Sequence, residues 1–328
     1  MSDKQILIVG TGRSGTSILK KILNFHSEIY AYPKELRFIA DRNGIMDLRT
    51  SLTTGWNPHN ASSTIHGFVD LMTKQLFASK FHEKALNRFF KYVLSGSVKK
   101  YTSVRMGDFI PRDYIIECIN TLFEAVGIKL IPGYWYGSES YQLNPEMYYS
   151  QPVDKKVFDN QAGKFIDNLL SYPLSANNKM CWCDDTPMNI LYTDVLSQML
   201  SNIRIIHIYR NPLDVVASYV DSKQSWAPAN PAYAAQWVKE ILTSWVTLRN
   251  DIARENYLEV KYEYLISNQE EGLNKIMDFI GLEFEETLLQ IKLNSRSVGR
   301  YISDIPKQEI SQVVSTLHPI LKEFDYKI

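Results

Sequence analysis

Eight residues near the start of the chain, Gly10-Thr-Gly-Arg-Ser-Gly-Thr-Ser17, combine three glycines, four hydroxyls and one cation. They follow the short apolar run Ile6-Leu-Ile-Val9 and precede Ile18, Leu19, Ile22 and Leu23, which are spaced to share one face of a helix over about residues 16–25. A buried strand, a glycine-rich turn and a helix start in that order bring backbone N–H groups and the positive end of the helix dipole onto one point. The loop is expected to hold a phosphate or a sulfate. A tight turn with no ligand is the alternative, and the coincidence of glycines, hydroxyls and Arg13 counts against it.

The spacing copies the nucleoside triphosphate loop G-x4-G-K-[ST], but Thr16 stands where that motif carries its lysine. Triphosphate sites use that lysine and a magnesium ion to manage the outer phosphates, so ATP hydrolysis is disfavoured. A single guanidinium at Arg13, backed by Ser14, Thr16 and Ser17, suits a phosphosulfate, which carries less charge and needs no metal.

Arg13-Ser-Gly-Thr-Ser17 after a buried strand resembles the 5′-phosphosulfate loop of sulfotransferases that use 3′-phosphoadenosine 5′-phosphosulfate (PAPS). Leu23-Asn-Phe-His-Ser-Glu-Ile29 is similar to that family's helix exit. A second strand–turn–helix, Ile203 to Tyr209, then Arg210-Asn-Pro212 and a helix through Val215, Val216 and Tyr219, resembles the family's 3′-phosphate element. The motif style is closest to the tyrosylprotein, glycosaminoglycan and bacterial sulfotransferases. The resemblance implies that Gly12, Arg13, Ser14, Gly15, Thr16 and Ser17 bind the 5′ end of the donor and that Arg210 and Ser218 bind its 3′-phosphate. It implies further donor contacts at Tyr262 and Arg300. Two strand-end anion sites on neighbouring parallel strands could grip both ends of an adenosine bisphosphate. The resemblance covers both ends of the chain and little of residues 41–178.

An acceptor hydroxyl needs a base. Glu35, in Tyr32-Pro-Lys-Glu-Leu-Arg-Phe38, lies where the chain should return toward the sheet's carboxyl edge, and the segment resembles the family's catalytic stretch, with Arg37 as the basic partner and Lys34 nearby. Glu28 and Asp41 are rivals for the role. Several family members carry a lysine just before the Thr-Pro of the element Cys183-Asp-Asp-Thr-Pro187; here the residue is Asp185. A serine within 294–297 could assist Arg13. His26, at a helix end, is expected to be structural. The implied chemistry is in-line sulfuryl transfer, with Glu35 and Arg13 as the catalytic residues. A P-loop small-molecule kinase and a non-catalytic nucleotide-binding protein are the competing readings.

The elements that must position these groups point to an α/β protein: a three-layer parallel sheet with P-loop NTPase-like sulfotransferase architecture. Strands at Gln5–Val9, Met180–Cys183, Ile203–Tyr209 and Tyr257–Tyr262 alternate with helices. The whole chain, 1–328, reads as one sulfotransferase domain, with a helical acceptor-binding insertion at about 41–178 built on helices at Phe68–Phe77, Ala85–Leu94 and Tyr114–Ala125. Tyr134, Trp135, Tyr136, Tyr141, Tyr148 and Tyr149 could line an acceptor pocket for a small molecule, sugar or peptide. Trp226, Trp237 and Trp245 are expected in the core. With 45% hydrophobic residues and 36 basic side chains against 36 acidic, the 328 residues offer a real core and no net field for nucleic acid. Cys118, Cys181 and Cys183 cannot build a disulfide framework, and the latter two alternate as on a buried strand. No apolar run reads as a signal sequence or membrane anchor, so a cytoplasmic location is expected.

Overall fold

The structure is a computed structural model that describes residues 4–77, 104–135, 145–222 and 228–327. In chain order its strands are β1 (Lys4–Val9), β2 (Ile29–Ala31), β3 (Lys129–Pro132), β4 (Glu146–Tyr149), β5 (Cys181–Asp184), β6 (Ile203–Tyr209) and β7 (Tyr257–Lys261). The helices used below are α1 (Thr16–Leu23), α2 (Ile45–Leu52), α3 (Pro58–Asp70), α4 (Arg112–Ala125), α5 (Lys155–Ala176), α6 (Thr193–Met199), α7 (Pro212–Asp221), α8 (Pro231–Leu248), α9 (Tyr262–Ser267), α10 (Gln269–Ile280) and α11 (Lys307–Glu323). Two compact units emerge, one comprising 3–32, 179–197 and 202–328, the other 1–2, 33–178 and 198–201.

The first unit holds a five-stranded sheet in the order β2-β5-β1-β6-β7, with every pairing parallel. Parallel strands joined by helices must be covered on both faces, and their sequences read as continuous apolar runs, as Ile6 to Val9 and Ile203 to Ile208 do. On one face Ile6, Ile8, Cys183, Ile206 and Ile208 meet Leu19, Ile22 and Leu23 of α1 and Leu273, Ile276 and Ile280 of α10. On the other, His207 and Tyr209 turn toward Trp245 of α8 and Phe324 after α11, with ring centroids 4.4 Å and 4.8 Å apart for His207–Trp245 and Tyr209–Phe324. The expected α/β architecture is therefore present, and Cys181 and Cys183 are buried thiols on β5. Trp245 is in this core, whereas Trp237 is 41% exposed. The helical spacing that grouped the two could not show that α8 turns position 237 outward. Trp226 lies outside the described residues.

The second unit is mostly helical. The helix expected at Phe68–Phe77 begins ten residues earlier, at Pro58, because Asn57 caps it by accepting from the Asn60 amide and Pro58 pre-sets the first turn. The same run continues beyond Asp70 as a π-helical turn, Leu71–Gln75. Helix α4 matches the expected Tyr114–Ala125, and the expected helix Ala85–Leu94 lies outside the described residues. Helix α5, not foreseen, is capped by Asp154, whose carboxylate accepts from the amides of Lys156 and Val157. Arg49 of α2 clamps Asp159 of α5 through two bonds of 2.6 Å and 2.9 Å. Strands β3 and β4 form an antiparallel pair that places Tyr148 against Phe123 and His66. Tyr134 and Tyr149 are exposed; Tyr136 and Tyr141 lie outside the described residues. Among the described residues no helix is long and apolar enough to cross a membrane.

Candidate active site

The sheet-bearing unit assembles most of the residues singled out in the sequence. Between β1 and α1 the chain passes through positive φ at Gly12 (73°), Arg13 (58°) and Gly15 (112°). Glycine is required at two of these positions for contact as well as conformation. A Cβ at Gly15 would stand 2.7 Å from Tyr262 Cδ2, and one at Gly12 would stand 2.9 Å from the Tyr219 hydroxyl. Tyr219 in turn donates to the Thr11 carbonyl, so α7 buttresses the loop. The first-turn amides of α1 have no helical carbonyl to bind, which leaves backbone donors at the end of the loop.

Strand β6 delivers the second cation. Arg210 directly follows β6, and Asn211 and Pro212 open α7, the Asn211 side chain capping it by accepting from the Leu213 amide at 3.0 Å. Arg210 Nη1 donates to the Arg13 carbonyl at 3.4 Å, Nη2 donates to the Ser297 carbonyl, and the guanidinium lies 5.4 Å from the centre of the Tyr262 ring. Arg13 Nε donates to Ser218 Oγ at 3.0 Å, tying the loop to α7. Gly12–Ser17, Arg210, Ser218 and Tyr262 thus form one cluster, and Ser297 joins it through a 3.4 Å contact between its hydroxyl and that of Tyr262.

The charge balance of the cluster favours an incoming anion. Arg210 is 6% exposed, and burial lowers its pKa, an effect that Asp214 opposes from 3.7 Å. Asp214, fully buried, spends its oxygens on the backbone amides of Gly299 at 2.8 Å and Tyr301 at 3.1 Å, and so fixes the segment around Ser297. Among the described residues, Arg210 Nε and Ser14 Oγ are buried without a hydrogen-bond partner, and the Arg13 Nη groups have none either. A buried donor left unmatched costs about 1–3 kcal/mol, a penalty that falls on Arg210 Nε and Ser14 Oγ and not on the exposed Arg13 side chain.

Three expectations find different settings. Arg300 is engaged with Asp304, four residues on, at 2.7 Å and with Asp221, 79 positions away, at 2.8 Å. Glu35 and Arg37 belong to the helical unit, where Arg37 Nη1 is 3.5 Å from Glu35 Oε2 and Arg37 Nε donates to Asp41 at 2.8 Å. Asp185 is fully buried, with Oδ1 2.7 Å from Lys20 Nζ, a partner that sequence reasoning missed because 165 positions separate the two. The neighbouring carboxylate, Asp184, is satisfied locally by Thr186 Oγ1 at 3.0 Å and Asn189 Nδ2 at 3.1 Å. His26 is structural, as expected: Nε2 lies 2.9 Å from the Glu283 carbonyl and Nδ1 accepts from the Glu28 amide at 3.1 Å. No group of three or more His, Cys, Asp or Glu side chains suited to a metal occurs among the described residues.

Residues 5–286 match the model of the Sulfotransferase family. The chain belongs to that family. One curated relative, a Caenorhabditis briggsae protein provisionally named as a protein-tyrosine sulfotransferase, is 23% identical over 163 residues, or 48% of this chain. The matched stretch spans 55% of that relative's length. Among solved structures, the sulfotransferase domain of the Synechococcus PCC 7002 olefin synthase aligns with 99% of this chain and 95% of its own, at 14% identity and a TM-score of 0.49. Sulfotransferase STF9 of Mycobacterium avium aligns with 100% of this chain and 78% of its own, at 10% identity and a TM-score of 0.48. Family membership rests on the family model and not on these structural likenesses.

Proposed function

We propose that the protein is a PAPS-dependent sulfotransferase that moves a sulfuryl group to an acceptor hydroxyl and releases adenosine 3′,5′-bisphosphate. The observation that carries this reading is the convergence of Arg13, Arg210, Ser218 and the Gly12–Ser17 loop, with buried donors on Ser14 and Arg210 lacking partners among the described residues. Two cations near one glycine-rich loop, with Thr16 in place of a phosphate-loop lysine, match a phosphosulfate and a 3′-phosphate better than a triphosphate.

In this account Gly12–Ser17 cradle the 5′-phosphosulfate through backbone amides and the hydroxyls of Ser14, Thr16 and Ser17. Arg13 faces the sulfuryl oxygens with its Nη groups. Arg210 and Ser218 take the 3′-phosphate, and Tyr262 and Arg300 make further contacts to the donor. Glu35 is the base: it accepts the acceptor's proton as the new O–S bond forms and the S–O bond to the 5′-phosphate breaks. Segment 41–178 of this single domain supplies the acceptor contacts. A tyrosine-bearing peptide, a sugar and a small phenol or alcohol are the acceptor classes, the first suggested by the name of the Caenorhabditis briggsae relative.

The test is transfer of radiolabelled sulfate from PAPS to panels of tyrosine peptides, oligosaccharides and phenols, with Glu35→Gln alongside. Transfer to one class, falling by at least roughly 10²-fold in Glu35→Gln, is expected. ATP-dependent phosphorylation of the same panels would instead establish a kinase, and full activity of Glu35→Gln would remove Glu35 from the mechanism.

A further inference from the structure

Helix α1 carries Thr16 and Lys20 four residues apart, and so on one face. Long side chains on a helix lean toward its N-terminus, which for Lys20 is the turn holding Thr16 and the end of the loop. Both residues are buried, Lys20 to 8% exposure. A lysine is almost never buried this far unless it is paired, and its partner is Asp185, 2.7 Å away and fully buried. Asp185 directly follows β5, whose Asp184 stands in register with Leu7 of β1, the strand that runs into the loop. The pair therefore lies at the carboxyl edge of the sheet, on the α1 side, beside the proposed donor site.

As a structural brace the pair is incomplete. Taking two charges out of water is repaid only when the remaining lone pairs and protons are satisfied as well. Asp185 Oδ2 has no hydrogen-bond partner, and Lys20 makes no second bond among the described residues. Cys183, on the same strand, adds no compensating charge, since burial and the nearby Asp185 carboxylate push its thiol well up and keep it protonated. Two of the ammonium's three N–H groups thus remain available in a buried place next to a loop built for anions.

We propose that Lys20 is a donor-binding residue, the cation that meets the 5′-phosphate of the bound nucleotide, and that Asp185 is its positioning residue. This rests on the PAPS reading above. Lys20 keeps one N–H on Asp185 Oδ1 and directs the others to the 5′-phosphate. When the S–O bond to that phosphate breaks, the electron pair stays on the phosphate oxygen, and the ammonium stabilises it without giving up a proton.

The experiment is calorimetric titration of wild type and Lys20→Met/Asp185→Asn with adenosine 3′,5′-bisphosphate and with 3′-AMP, which lacks the 5′-phosphate. The double variant removes both charges together, so it leaves no lone buried ion and should fold with a melting temperature close to wild type. Wild type should prefer the bisphosphate. In the variant that preference should shrink by roughly 10- to 100-fold, the equivalent of one lost charge-assisted hydrogen bond, with 3′-AMP binding unchanged. An unchanged preference in a folded double variant overturns the proposal. If the double variant does not fold, Lys20→Gln, which keeps a donor for Asp185 but not the charge, is read in the same way. A wild-type protein that binds neither nucleotide would fail the PAPS reading itself, a distinct outcome.

Discussion

Arg13 offers a perturbation in which stability and activity should separate. Its φ of 58° places a non-glycine residue in the left-handed region, at a strain of roughly 1–2 kcal/mol. Arg13→Gly relieves that strain but gives the unfolded chain more freedom, which costs about 0.4–1 kcal/mol. The substitution also removes the 3.0 Å bond to Ser218, a net loss of roughly 0.5–1.5 kcal/mol at an exposed side chain. These contributions nearly cancel, so ΔG should move by no more than about 1 kcal/mol and the melting temperature by about 2–4 °C. Turnover should fall by roughly 10²- to 10³-fold, because the side chain proposed to face the developing charge is gone. Differential scanning calorimetry and PAPS-dependent transfer measure the two quantities on the same preparation. A variant that melts normally and turns over normally would refute the role given to Arg13.

Other perturbations probe the frame around the site. Gly15→Ala places a Cβ 2.7 Å from Tyr262 and 3.1 Å from Ile208 at φ 112°, so thermal unfolding should show a loss of about 2–4 kcal/mol. Arg49→Ala strands the nearly buried Asp159 and should destabilise the helical unit by roughly 3–5 kcal/mol, seen as a lower denaturant midpoint. The pH dependence of melting should follow His207 and Glu259. Burial lowers the His207 pKa in the fold, so below about pH 6.5 the unfolded chain binds a proton that the native state resists, and stability falls. Burial alone would raise Glu259, but His207, Trp245 and Arg249 around it bring it down to about 2, so its contribution is complete above about pH 4.5 and lost as pH drops toward 2. His207→Phe, in a cage already formed by Trp245 and Phe324, should abolish the first decline; an unchanged profile would show that His207 does not cause it.

The parts of the fold that could be read in advance were those where local chemistry and backbone geometry agree. Gly12 and Gly15 advertised a loop because the positive φ they adopt is one that sequence rules already associate with glycine, and Arg210-Asn-Pro212 announced a helix start by its proline. The 16–23 helix and the buried strands followed from apolar periodicity. Contacts distant in sequence were invisible: nothing near Lys20 names Asp185, and nothing near Arg210 names the Ser297 carbonyl that it holds. Arg300 pairs with Asp304 one helical turn on, which the sequence offers, and also with Asp221, which it does not. In the helical unit the periodicity of α5 is diluted by charged and small residues, and Gly163 gives no hint that it exists to pass the Met199 carbonyl, which a Cβ would strike.

The account turns on which nucleotide the loop accepts, and calorimetric titration without magnesium, using adenosine 3′,5′-bisphosphate, ADP and ATP, addresses it directly. The account predicts binding of the bisphosphate at roughly micromolar Kd, weakened at least tenfold in Arg210→Ala, with ADP and ATP much weaker. Preferential binding of ATP, or equal binding of the bisphosphate by Arg210→Ala, would contradict it.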